Sequence, residues 1–152
     1  MRTYEEITTK IKEKREEVFS FWIEVLISYL PFEYAKEFLK DTTEKEWEEK
    51  YFTPMDRETI IKEMYEYMEF AWGKVADHRG LSAGRSIDKM EAWIWLLEDD
   101  LVLAEIPYPY YGAPKLAAIC KEYDFPIPTD DGVQNMIDGK PCTPNCQEGC
   151  AL

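Results

Sequence analysis

An all-α fold is what this sequence predicts, and three observations carry it. Apolar residues recur three and four apart, as in Ile60, Met64, Tyr67, Ala71 and Val75, which is the spacing of one helix face. Helix-start signatures repeat: Thr3 with Glu6 and Thr43 with Glu46 each set a hydroxyl three residues ahead of a carboxylate, so that each side chain reaches the other residue's backbone N–H. Residues such as Pro31, Pro54 and Gly80 punctuate the periodic stretches, where helices stop or restart.

The first helix is expected to begin after Thr3 and run to Pro31, with Ile7, Ile11, Val18, Trp22, Val25 and Tyr29 inward. Its first half is thinly apolar and its second half apolar nearly all round, so the second half is the part expected to enter the core. "PFEYAKEFLK" predicts a short second helix and "EWEEKYF" a third. The next helix takes Thr53 as cap, Pro54 as first helical residue and Asp56 in its acidic first turn, and stops at Gly80. Ser82 or Ser86 then caps a helix whose stripe is Ile87, Met90, Ile94, Leu97 and Leu101, widened by Trp93, Trp95 and Leu96. Three acids in "EDD" oppose the macrodipole at a helix C-terminus, so this helix is expected to end near Leu97 and "LVLAEI" to be extended.

"PYPYYGAP" predicts a turn-rich loop, and "PKLAAICKEYDF" a helix with Leu116, Ile119, Cys120 and Tyr123 on one face. Beyond "PIPTDDG" only "VQNMI" is expected to form a helical turn. The sum is about six helices around a central hairpin spanning residues 54 to 101. One globular domain is expected over residues 1–140, with a Cys-containing tail over 141–152.

A chain of 152 residues suits one domain with its own core. A hydrophobic content of 45%, with 14% aromatic, argues against disorder. Thirty-one acidic against 18 basic residues leave a charge of -13, which disfavours binding to nucleic acid and favours basic protein surfaces. No apolar run is long enough to span a bilayer, and the charged N-terminus lacks an apolar signal core. The expected location is cytoplasmic, where cysteines stay reduced or hold a metal.

Two of only five arginines fall in "DHRGLSAGRSIDK" beside the single histidine and two glycines. A Gly-hinged loop entering a helix offers unpaired N–H groups to an anion. Arg79 and Arg85 can fork onto phosphate or carboxylate oxygens, Ser82 and Ser86 can donate hydroxyls, and Lys89 adds a third charge. The same residues equally suit a plain connector whose arginines pair with Asp77, Asp88 or "EDD". Tyr110 and Tyr111 lie in the Pro-rich loop, where tyrosines either stack on a ligand or pack the loop down.

Cys142, Cys146 and Cys150 stand at equal spacing in the tail. Thiolates so placed can wrap zinc, with Cys120, His78 or an outside group as fourth ligand. The open alternative is a set of free thiols.

Glu66 and Glu69, then Asp88 and Glu91, put two acid pairs on consecutive helices. This pattern resembles the paired-acid motif of the all-α nucleoside triphosphate pyrophosphohydrolases, although the second pair has Asp and Glu in the reverse order. The resemblance covers about a third of the chain and implies helix-borne carboxylates holding magnesium while basic residues hold a nucleotide's phosphates. With one histidine and neither a Gly-x-Ser-x-Gly nor an HExxH pattern, nothing demands an enzyme. The expected function is that of a small regulatory protein engaging a protein partner or an anionic ligand through Arg79, Ser82, Arg85, Ser86, Lys89, Tyr110 and Tyr111. An acidic nucleic-acid mimic, with Glu44, Glu46, Glu48 and Glu49 on one face, is the third class.

Overall fold

The computed structural model describes residues 1–17, 20–77, 79–99, 101 and 112–140, with residues 80–82 described through their backbone. The fold is all-α, with eight helices and no strand among the described residues. No helix among them is long and apolar enough to cross a membrane. The chain divides into two compact units: Met1–Lys62 with Asp88–Asp99, and Glu63–Ile87 with Asp100–Leu152.

The first unit opens with α1 (Tyr4–Arg15), and the predicted capping box is formed: Thr3 Oγ accepts the Glu6 N–H at 3.1 Å and the Glu6 carboxylate accepts the Thr3 N–H at 3.3 Å. The expected run to Pro31 is broken. Helix α1 ends at Arg15 and α2 (Trp22–Ile27) starts afresh, with the Phe21 N–H on the Asp88 carboxylate at 2.7 Å. A side chain from another helix thus takes a donor that a continuous helix would spend on a carbonyl four residues back.

The thin apolar stripe of α1, with Ile7 and Ile11 buried, is supplemented by its cations. Lys14 Nζ sits 4.4 Å from the Trp22 ring centre, while Arg2 and Lys10 flank Trp95 at 4.5 and 5.3 Å. Each such contact is worth about 0.5–1 kcal/mol at a partly exposed site.

Two further helices are short: α3 (Phe32–Ala35), shorter than expected, and α4 (Glu44–Lys50), capped by Thr43 as predicted. Two buried indoles of this unit find acceptors: Trp93 Nε1 donates to Tyr29 Oη at 2.8 Å, and Trp47 Nε1 to the Leu30 carbonyl at 2.8 Å. Helix α5 (Arg57–Ala76) starts three residues later than Pro54. The Thr53 N–H is already given to the Ser28 carbonyl at 2.8 Å, and Asp56 acts at the helix start instead, accepting from the Thr59 N–H at 2.8 Å. That hydrogen bond lowers the Asp56 carboxyl pKa.

Helix α6 (Gly80–Leu97) ends where the acid run predicts, but it begins at Gly80, not after Ser82 or Ser86. Arg79 serves both helices, its N–H on the Lys74 carbonyl at 3.0 Å and its carbonyl accepting the Ala83 N–H at 2.9 Å. The segment read as a Gly-hinged loop is therefore helical from residue 80. Gly80 and Gly84 disfavour a helix by about 1 kcal/mol each, and burial of Ala83, Ser86 and Ile87 outweighs that.

The second unit is built on the inner stripe of α5 (Met64, Met68, Ala71, Trp72, Val75), α7 (Ala113–Tyr123) and α8 (Asp131–Ile137). Of the predicted α5 stripe, Tyr67 alone is half-buried and Met68 takes the inner place. Asp130 caps α8, accepting from the Gly132 and Val133 N–H groups at 2.9 and 3.1 Å. Gly112 precedes α7 at φ 75°, and a Cβ there would collide with Ile87 Cδ1.

Tyr29→Phe is expected to leave the Trp93 indole N–H buried without that acceptor and to lower unfolding free energy by about 1–3 kcal/mol, read from the urea midpoint. Gly112→Ala meets both a left-handed backbone and the Ile87 side chain, so a loss of at least about 1 kcal/mol is expected in the same assay.

Candidate functional site

Within the second unit, α5 carries Tyr65, Glu66, Met68, Glu69 and Trp72 to one side, since positions three, four and seven apart share a helix face. The facing wall comes from the end of α7. Asp124 stops that helix in the left-handed region at φ 58° and ψ 44°, and the N–H groups of Asp124 and Phe125 both turn back to the Cys120 carbonyl. Asp tolerates this conformation better than most residues.

The reversal sends Phe125 inward, 8% exposed, and lays out Phe125 to Pro128 as an irregular strip. Gln134 Nε2 of α8 holds the Pro128 carbonyl. Two prolines in four residues stiffen the strip and remove N–H donors from it.

The two walls enclose a cleft of about 510 Å³. The Tyr65 and Phe125 rings meet edge to face, 5.5 Å between centres at 65°, and Tyr123 stacks behind Phe125 at 5.8 Å. Tyr65 is 52% exposed and marks the mouth, whereas Met68 and Trp72 are buried. Glu66 and Glu69 are exposed, and among the described residues neither has an ion-pair or hydrogen-bond partner. Among the described residues no basic side chain lines the cleft. An aromatic corner beside two carboxylates one turn apart is chemically a receptor for a cation with an apolar or planar body.

Behind the cleft, Cys120 is buried and its thiol pKa is pushed up by burial, with the Trp72 indole N–H partly offsetting the rise. Trp72 Nε1 nevertheless has no partner at hydrogen-bonding geometry among the described residues, and a thiol sulfur is a weak acceptor.

The expectation of zinc is corrected. Among the described residues no group of three or more His, Cys, Asp or Glu is placed to hold a metal ion. Cys120, a candidate fourth ligand, is instead a core side chain kept in its protonated form. Cys142, Cys146 and Cys150 lie outside the described residues, as do His78, Tyr110 and Tyr111. The two acid pairs form no such metal-holding group either; Asp88 caps α2 through the Phe21 N–H, while Glu66 and Glu69 line the cleft.

The cationic residues are placed as follows. Arg79 and Arg85 are exposed, Ser82 lies in the first turn of α6, and Ser86 is fully buried. Lys89 is ion-paired to Glu24 at 2.9 Å. Sequence reasoning missed the aromatic half of the cleft, Tyr65, Trp72 and Phe125. Its only local signal is the strip "DFPIPT" after a helix.

Comparison with protein-family models, with curated proteins and with solved structures finds no match for this chain.

Because the folded state holds the Cys120 proton more tightly than the unfolded chain, the stability this thiol contributes is full below its ordinary pKa and is lost as pH rises through the raised one. Denaturation curves taken above the ordinary thiol range are expected to show a steeper loss with pH for the native sequence than for Cys120→Ala. Parallel curves would contradict the assignment.

Proposed function

We propose that this protein is an acidic binding module that engages a positively charged segment of a partner protein through the cleft of α5 and residues 125–128. One observation carries the reading: an aromatic-walled cleft whose two carboxylates, Glu66 and Glu69, have no cation of their own among the described residues. Its size, about 510 Å³, falls within the range of ligand-binding sites.

The net charge of -13 adds long-range attraction for a basic surface, which raises association rates. The aromatic rings supply the short-range part, since buried aromatic contacts dominate interface energetics. A protein partner met in the cytoplasm belongs to the same reading. The anion site expected around Arg79 and Arg85 has less support, because Ser86 is core and Lys89 is already paired.

The test is a titration of the labelled protein with a short synthetic peptide of net positive charge, followed in amide proton–nitrogen spectra. Shifts are expected at residues 65–72 and at Phe125 and Ile127, with affinity about tenfold weaker in Glu66→Gln/Glu69→Gln and in high salt. A response only to an acidic peptide, centred on Arg79 and Arg85, would overturn the reading.

A further inference from the structure

The cleft separates two kinds of cation. Its floor, with Met68 and Trp72 buried and Ile127 beside them, is apolar, so a charged group that enters gives up hydration. An ammonium is a compact, strongly hydrated point charge, whereas a guanidinium is planar, delocalised and weakly hydrated, and it stacks on aromatic faces. The Tyr65 and Phe125 rings, 65° apart with centres 5.5 Å from each other, form a corner that gives a flat cation one face to lie on and one edge to meet. Glu66 and Glu69 are three residues apart on α5 and therefore neighbours on its surface. Two like charges so placed repel until a cation lies between them, and five N–H donors in a fixed fork can serve both.

We infer that the cleft takes an arginine side chain of the partner, its guanidinium against the Tyr65 and Phe125 rings and its N–H groups on Glu66 and Glu69. The inference rests on the cleft reading above. The aliphatic stem of the arginine runs along Met68 and Ile127, as long charged side chains do on apolar surface. The cleft volume of about 510 Å³ leaves room for flanking backbone of the partner segment. Pro126 and Pro128 offer no N–H, so neither leaves a backbone donor in this wall for the partner to satisfy.

The experiment compares three host peptides that differ at one position, arginine, lysine or citrulline, each titrated into the full chain and into two variants. The arginine peptide is expected to bind about tenfold more tightly than the lysine peptide, and the citrulline peptide, planar but neutral, to lose binding at least as far. Tyr65→Leu, at a half-exposed position that does not hold the core, is expected to bring arginine and lysine to within about twofold of each other. Glu66→Gln/Glu69→Gln is expected to weaken both. Lysine binding as well as arginine would overturn the arginine assignment while leaving the acidic binding module standing. Citrulline matching arginine would overturn the assignment by removing its charge basis, and failure of every peptide to bind would overturn both.

Discussion

At the end of α7 the chain turns back on itself through Asp124, a residue other than glycine held in the left-handed region. Two N–H groups then share the Cys120 carbonyl, and Phe125 is driven under the helix end instead of out into solvent. The cleft follows from that one reversal. Without it Tyr65 would have no ring to meet, and the strip of residues 125–128 would have no fixed distance from α5. The turn also needs Cys120 where it is, since the backbone carbonyl that closes it belongs to a residue whose side chain is anchored in the core.

The first unit is held by a different economy. Its apolar residues on α1 are few, and the helix attaches through indole faces: Trp22 and Trp95 lie 6.0 Å apart between ring centres and receive Arg2, Lys10 and Lys14. The same cations bridge carboxylates, as in Lys14 to Glu17 and Lys10 to Glu13. Those exposed pairs contribute little by themselves. Their role is to leave basic side chains neutralised on the outside while the aliphatic stems cover aromatic surface, which lets a highly charged segment serve as a packed helix.

Much of the fold was legible because it is written in local terms. The Thr3 and Thr43 caps, the stripe of Ile60, Met64, Ala71 and Val75, and the end of α6 at Leu97 all depend on residues within a turn or two of each other. The failures share the opposite property. Ahead of α2 the Phe21 N–H is taken by Asp88, 67 residues away, and ahead of α5 the Thr53 N–H is taken by Ser28. Gly80 reads as a stop by its intrinsic preference, yet opens α6 where burial of Ala83 and Ile87 wins. The site behaves likewise: Glu66 and Glu69 stand out as an acid pair, but the ring that lines the same cleft is Phe125, and no spacing rule connects the two. The zinc reading rested on cysteine spacing in a tail, and the described cysteine, Cys120, belongs to the core.

The most direct measurement is a proton–proton Overhauser spectrum of the aromatic region, assigned for Tyr65, Trp72, Tyr123 and Phe125. Cross-peaks are expected between the Phe125 ring and both Tyr65 and Tyr123, the signature of a chain that reverses at Asp124 and closes on α5. Cross-peaks from Phe125 to Tyr123 but none to Tyr65 would contradict it, because the two walls would then not form a cleft.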